Sequence, residues 1–499
     1  MKTWEQISKE KYIIIAALIV YSVTAIYSNG YYHPDEHYQI IEFAGLKLGF
    51  NAPSDLAWEY GRLMRPTVQP TLCILLFKAL NFFGIFDSYF LAMALRLITA
   101  IVAVAIITRF IICTKSFINP GLWTIYLLLS YFLWFTPFIS IRFSSETWSG
   151  LSFLFALCYI LKEKKLTWDY CICGALFGLS FMFRFQSAVL IIGVVAWLIL
   201  IGKEKFWNLF WIILGTCFAI QAGLAIDAWF YGKYTFSFLN YFKINILNDV
   251  ASNFGVAPWY EVIEYIFFDA LWPIGLLILG SILWLLRKAP NTLFLWCVIP
   301  FIFVHAIIAH KELRFLFPVV WFVPIIIVLA IQQLPFDSLR SLQQKVFFRI
   351  AYIILIILNV VALITMALKP AGIGSKQITR FIQVNYPYKP IHIYYMKTCN
   401  PFEPWNGLKE NFYRNAKVKT SRIEDFKELA SIRFSKDTTY LLSIKKYMAP
   451  VYKFQTDKGN VFPYKSVLKT QSIPNWIVRI SKHYGGFFEG NILMLYEIK

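Results

Sequence analysis

Between residues 11 and 368 the sequence returns again and again to apolar runs long enough to cross a bilayer. In hydrocarbon no water can pair with a free backbone N–H or C=O, so each crossing must be a helix or a strand of a closed barrel. A spanning helix takes roughly 20 mostly apolar residues. The runs at 11–28, 88–108, 120–140, 147–161, 170–184, 187–201, 206–225, 263–286, 291–309, 315–334 and 347–368 predict about eleven helical spans, the short ones between 147 and 201 being the weakest. The fold expected is therefore mainly α and polytopic. Composition agrees: the chain is 58% hydrophobic and only 15% charged, where soluble domains carry about 25% charged residues.

Orientation follows from the short loops, because Lys and Arg accumulate on the cytoplasmic side. With the N-terminus inside, the inner connections are Arg109–Lys115, Lys162–Lys165, Lys203–Lys205, Arg287–Lys288 and Arg340–Arg349, and each is basic. The first apolar run follows Lys2, Lys9 and Lys11 like a signal peptide, yet no small-residue cleavage site ends it, so an uncleaved anchor is expected. The scheme needs residues 69–86 not to span. Lys78 and Asn81 interrupt that stretch, which reads as an amphipathic helix on the outer surface.

Residues 1–369 thus form a transmembrane domain with an outer loop at 29–87, and residues 370–499 a soluble tail on the non-cytoplasmic side. The tail holds 21 Lys/Arg against 9 Asp/Glu, which is +12 of the chain's +20. Long domains translocate largely regardless of charge, so this does not oppose the orientation. Strand character at Ile391–Met396, Thr439–Lys445, Trp476–Ser481 and Ile492–Ile498, with a capped helix at Ser421–Ile432, predicts a small α/β domain. The cations are dispersed and no nucleic-acid motif appears, so no nucleic-acid partner is expected.

The polar residues gather on the outer side. His33-Pro34-Asp35-Glu36-His37 sets two acids between two histidines at a membrane surface, costly to desolvate unless paired or used. It also reads as a solvated loop whose Pro34 and Asp35 begin a helix over Glu36–Leu48. The spacing matches no familiar metal site. Glu59 and Arg62 follow in Trp-Glu-Tyr-Gly-Arg, which serves equally as an interfacial aromatic anchor. Glu146 lies in Arg-Phe-Ser-Ser-Glu-Thr, and Asp227, Tyr231 and Trp259 in a long later loop, where packing is an equal explanation. His310, Lys311 and Arg314 would share one face if helical. Such cations suit a phosphate, though a snorkelling interface residue with an internal Lys–Glu pair reads as well. Arg184 reads as a snorkelling helix end. The chain has no GxxxxGK[ST], no GxGxxG after a strand and no Asp-x-Asp pair, which leaves a lipid-linked phosphate as the donor best suited to an outer face.

These blocks, in this order, resemble glycosyltransferase family 22, the GT-C mannosyltransferases of lipid-linked and glycosylphosphatidylinositol glycan assembly. HPDEHYQIIEFA at 33–44 is similar to the family's first-loop signature. WEYGRLMRPTVQP, RFSSETW, the DAWFYGK…GVAPW segment and HKELRFLFPV follow in family order, with MKTCNPFEPW at 396–405 as a fainter match. The resemblance is greatest to enzymes adding the third mannose of the glycosylphosphatidylinositol core. Leu313 stands where the family has Phe, and residues 406–499 carry none of the family's sequence blocks.

The resemblance implies a GT-C bundle that moves mannose, with inversion, from polyprenyl (dolichyl) phosphate to a lipid-linked glycan, without cofactor or metal. It implies Asp35 as general base with Glu36 second or orienting. His310, Lys311 and Arg314 would bind the donor phosphate. His33, His37, Glu59, Arg62, Glu146, Asp227, Tyr231 and Trp259 would line the substrates. Partners would be the bilayer, the donor and the glycolipid acceptor. The site would face the periplasm of a bacterial inner membrane or the lumen of the endoplasmic reticulum. A GT-C transferase of another lipid-linked sugar, or a polyprenyl-linked glycan flippase, are the other functions this sequence admits.

Overall fold

Residues 4–335, 345–405, 408–414, 417–452, 465–482 and 489–498 are described in a computed structural model. Lys2, and the 340–344 part of the last expected inner connection, lie outside them. The chain divides into two compact units. The helical unit takes 1–24, 62–72 and 96–367, and the sheet-bearing unit takes 25–61, 73–95 and 368–499.

The molecule is mainly α-helical. Five helices among the described residues are long and apolar enough to cross a membrane: Glu10–Tyr27 within Trp4–Tyr27, then Ser88–Cys113, Phe206–Tyr231, Leu313–Gln332 and Val346–Leu368. Shorter apolar helices accompany them, including Val68–Phe82, which covers most of the expected surface helix. The count of eleven therefore remains a reading of the sequence.

Glycine sets the closest helix contact. Helix Thr167–Phe183 packs along Phe206–Tyr231, and a Cβ on Gly174 would lie 2.0 Å from the Ile212 carbonyl oxygen. Gly178 faces the Thr216 carbonyl and Gly215 that of Cys171 in the same way. Thr216 Oγ1 donates across the seam to Gly174 O at 3.0 Å. Where lipid tails are as apolar as leucine, such small-residue approach supplies the packing that holds helices together.

Proline breaks two of the expected spans and tightens the start of a third. Residues 120–140 separate into Trp123–Phe132 and Phe135–Ser140, because Pro137 has no N–H to return to Leu133. Asn359 repairs the break: Trp134 N–H donates to its Oδ1 at 3.0 Å, and its Nδ2 donates to Phe132 O at 2.8 Å. The 263–286 span starts instead at Trp272, with Pro273 in the first turn, where a missing N–H costs no hydrogen bond. The 315–334 span opens as a 3₁₀ run, Leu313–Phe322, containing Pro318, before α-helix Val323–Gln332.

The second unit is built on a five-stranded sheet: β1 (Ile391–Met396), β2 (Val418–Ile423), β3 (Thr439–Lys445), β4 (Ser466–Gln471) and β5 (Leu493–Ile498). Its order is β2-β1-β3-β5-β4. Strand β1 runs parallel to β2 and β3, while β5 is antiparallel to β3 and β4. Helix Ser375–Asn385 contributes Ile378 and Ile382, one turn apart, to a core with Ile393, Leu441, Leu442, Ile444 and Leu495.

Two expectations fail in this unit. Trp476–Ser481 is helical, as Asn475–Ser481, with Ile477, Val478 and Ser481 buried. That spacing of one and four residues is a helix face, which overrides the β-branched composition. The helix expected at Ser421–Ile432 is instead the end of β2 and a short 3₁₀ turn, Phe426–Ser431, capped by Asp425.

Candidate functional site

In the sheet-bearing unit the chemistry starts at His33. Its extended backbone places Nδ1 to accept from the Asp35 N–H at 3.3 Å, capping a turn that Pro34 begins. Glu36 folds back and accepts from the Tyr32 N–H at 3.1 Å. One α turn then widens into a π turn, His37–Ile41, before Glu42–Leu48. Such π turns recur at functional sites, where the extra residue re-aims side chains. Here it buries all five of its side chains.

The five histidine and carboxylate side chains between 33 and 42 divide sharply. His37, Glu42 and Glu36 are buried, whereas the His33 and Asp35 side chains keep 28% and 16% of their exposure and lie 3.7 Å apart. His37 is stacked between Tyr31, at 5.2 Å, and Tyr413, at 5.3 Å. Its Nε2 donates to Glu42 Oε1 at 2.7 Å, since a carboxylate only accepts. Burial pushes its pKa down, so the ring is held neutral. Glu42 also accepts from Asn51 Nδ2 at 2.6 Å and Phe412 N–H at 3.2 Å. His37 is thus a strut, not a ligand-facing group. Glu59 is buried too and accepts from Gln39 Nε2 at 2.8 Å.

Beside this strut runs a buried network that the sequence did not announce. The Glu410 carboxylate contacts both the Lys376 ammonium and the Tyr31 hydroxyl. Lys376 Nζ also donates to Pro401 O at 3.2 Å and sits 5.0 Å over the Tyr413 ring. Burial holds the Lys376 pKa well below the usual lysine range.

In the helical unit the cations converge around two carboxylates. Ser144 caps helix Ser145–Ile160, accepting from the Thr147 N–H at 3.2 Å, and Glu146 is buried in its first turn. Arg314 donates to Glu146 at 3.0 Å, and Arg184 lies 3.4 Å from the same oxygen. Arg314 also pairs with Glu312. His310 binds the Gly255 carbonyl through Nδ1 at 2.9 Å and Glu312 through Nε2 at 2.8 Å. Two partners that only accept require both ring nitrogens to donate, which is the imidazolium form. The Glu312 hydrogen bond accordingly raises the His310 pKa. Lys311 Nζ donates to the carbonyls of Ala257, at 2.8 Å, and Ile308, at 2.6 Å, and burial lowers its pKa. Arg184, Arg314 and the His310 imidazolium pair with Glu146 and Glu312, three positive charges against two carboxylates, leaving surplus positive charge for an anion. Residues 308–312 are not helical, so Glu312 bridging, rather than a shared helix face, brings His310 and Arg314 together.

An apolar groove of about 590 Å³ lies between helices Ser88–Cys113, Ser145–Ile160 and Thr167–Phe183. Trp148, two residues beyond Glu146, is among its walls, and Arg109 and Lys162 are at its other end.

The chain matches the Alg9-like mannosyltransferase family over residues 12–405. It belongs to that family. It is 25% identical over 331 residues to GPI mannosyltransferase 3 of Yarrowia lipolytica, covering 65% of this chain and 63% of that protein. To GPI alpha-1,2-mannosyltransferase 3 of Xenopus laevis it is 26% identical over 320 residues, 62% of this chain and 57% of the relative. The matches thus span about three fifths of those relatives' length. The fold is that of ArnT from Cupriavidus metallidurans, solved bound to undecaprenyl phosphate, with a TM-score of 0.54 at 11% identity over 97% of both chains. This supports a GT-C fold.

Other residues expected at the site of this Alg9-like chain have structural partners. Asp227 is buried and accepts from the Thr67 N–H and hydroxyl, each at 2.7 Å, and from Ser237 Oγ at 2.6 Å. Tyr231 donates to Arg65 O at 2.7 Å. Both therefore fasten residues 62–72. Arg62 and Trp259 are exposed. Arg184, expected to snorkel, is buried and ion-paired, because Glu146 offers it a carboxylate inside the bundle. The signal was the break at Arg184-Phe185-Gln186, where the helix stops with an arginine in extended conformation. Lys376 and Glu410 gave no such signal, being separated by a strand and a loop.

Proposed function

We propose that this chain transfers a mannosyl residue, with inversion, from a polyprenyl phosphate to a hydroxyl of a lipid-linked glycan on the non-cytoplasmic face. The observation that carries the reading is the division of the acids between residues 33 and 42: Glu36 and Glu42 are buried, whereas the Asp35 side chain keeps 16% of its exposure, with His33 beside it. Family membership supports mannose, and the GPI mannosyltransferases among its relatives support a glycosylphosphatidylinositol-type acceptor. The ArnT neighbour, solved with a polyprenyl phosphate, supports a lipid phosphate donor.

In the step proposed, an acceptor oxygen attacks the anomeric carbon as its proton passes to Asp35. The bond from that carbon to the phosphate oxygen breaks, and the polyprenyl phosphate leaves with the electron pair. The transition state carries oxocarbenium character, as in other glycosyl chemistry. Arg314 and the His310 imidazolium would stabilise the departing charge from fixed positions. Lys311, committed to carbonyls, would shape that site rather than grip the phosphate. The groove that starts at Trp148 would take the prenyl chain. No metal enters this scheme.

The test is transfer of labelled mannose from a short-chain polyprenyl phosphate mannose to mannosylated lipids by the purified protein in nanodiscs. Transfer that disappears in Asp35→Asn supports donor, class and base together. Wild-type turnover in that variant removes Asp35 as base. Failure with mannose, but turnover with another lipid-linked sugar, would replace the donor.

A further inference from the structure

The turn that carries Asp35 is closed on itself: Glu36 N–H donates to His33 O at 3.1 Å, and Glu36 Oε2 accepts from the Tyr32 N–H at 3.1 Å. Where it points follows from its two stems, Asn29–Tyr31 before it and His37–Tyr38 after it. Residues of the tail hold both. Ala371 N–H donates to Asn29 O at 2.9 Å. Gly30, with φ of +94°, leaves room for Lys376, whose Cγ would lie 3.0 Å from a Cβ there. Gly372 comes so close that its own Cβ would be 2.8 Å from Tyr31 O. The Tyr31 hydroxyl reaches the Glu410 carboxylate. On the second stem, the Tyr38 hydroxyl donates to Leu408 O at 3.2 Å and lies 3.5 Å from Glu410 Oε1. Glu410 is itself fixed by its N–H, which donates to Phe402 O at 3.1 Å. One buried acid thus stands between the two ends of the turn.

We propose that Glu410 is a positioning residue for the transfer: it holds the Tyr31 hydroxyl on the first stem and borders the Tyr38 hydroxyl on the second, so that the turn presents Asp35 to the acceptor. The assignment rests on the reading of Asp35 as base. Stability alone does not account for this acid. The Glu410 and Lys376 side chains keep 0% and 2% of their exposure, so both charges are desolvated. That costs several kcal/mol per ion, and apolar residues of similar volume often hold a fold as well. What a carboxylate adds is direction, because its lone pairs accept from a hydroxyl and an ammonium at defined positions. Direction matters here, since a misplacement of about 1 Å at a reacting group can cost about 100-fold in rate. Lys376 supplies the counter-charge that lets Glu410 stay buried. Glu410 also lies beyond residues 12–405, which match the family. The turn is a family block, and the acid that clamps it belongs to the tail.

Two double variants separate the acceptor atom from the charge. Glu410→Gln with Lys376→Met keeps a side-chain oxygen for the Tyr31 hydroxyl, and Glu410→Leu with Lys376→Met does not. Neither strands a buried charge. In the purified protein in nanodiscs, the first should keep kcat within about threefold, and the second should lose roughly 10–100-fold with both KM values unchanged. Backbone amides of residues 32–37 should exchange deuterium faster in the second than in the first. An ion pair serving only stability would affect the two alike, so equal kcat in both overturns the clamp. Equal exchange overturns it too, whether or not the protein transfers mannose. If the leucine variant does not fold, Tyr31→Phe removes one hydroxyl while keeping a ring against His37, and it should reproduce the loss. Wild-type kcat in Tyr31→Phe overturns the clamp. Unequal exchange in a protein whose Asp35→Asn still transfers would keep the clamp and discard Asp35 as the base it positions.

Discussion

Asp35 and Glu36 are neighbours in sequence with opposite surroundings, and this makes their substitutions informative. Glu36 is buried against the Tyr32 N–H, which a glutamine oxygen can also accept. Glu36→Gln should therefore retain transfer within about tenfold, whereas Asp35→Asn should lose the roughly 10²–10⁴-fold that a positioned base supplies. Equal losses in both would assign the proton transfer to the pair. His310 yields a pH prediction. Its folded pKa is raised by Glu312 above the usual value of about 6.5. The cation's contribution is then complete below that value and fades as pH rises through the raised one. Donor KM should climb across that window in the wild type and stay flat in His310→Gln. A wild-type donor KM independent of pH there would remove His310 from phosphate binding.

At the scale of elements, the sequence was legible where one signal dominated and misleading where two competed. The strands β1, β3 and β5 stand where their strand character put them. The 476–481 segment carries β-branched residues in a helical burial pattern, and the burial wins. The prolines at 137, 273 and 318 were visible throughout, but hydropathy averages over them, so two spans that look continuous are broken and a third opens as a 3₁₀ run. For the site, the ordered blocks exposed Asp35, His310 and Arg314. They could not expose Glu410, whose partner Lys376 lies far from it along the chain. The Gly174 seam carries its own prediction. A valine there would drive its Cβ into the Ile212 carbonyl. Since the obstacle is backbone, the cost should exceed the usual range for overpacking, about 1–3 kcal/mol. A lowered Tm in detergent should report it, and an unchanged Tm would show that the two helices separate freely.

For the whole molecule, the charge pattern makes a claim about topology that helix lengths do not. Five helices among the described residues meet the length and composition of a span, yet the basic connections at 109–115, 162–165, 203–205 and 287–288 alternate in a way that fits one side only. On that scheme Lys164 faces the cytoplasm and Lys436 the opposite side, and both are exposed. Lys436→Cys should react with a maleimide-polyethylene glycol added outside intact right-side-out vesicles, while Lys164→Cys should react only after the membrane is opened. Cys217 is exposed but lies within the apolar helix Phe206–Tyr231, where a polar reagent does not reach, so background labelling should be low. If Lys436→Cys reacted only after the membrane is opened, the tail would lie on the cytoplasmic side, away from any donor presented on the outer leaflet. Opposite labelling would place the sheet-bearing unit on the side where lipid-linked sugars, rather than nucleotide sugars, are the available currency of transfer.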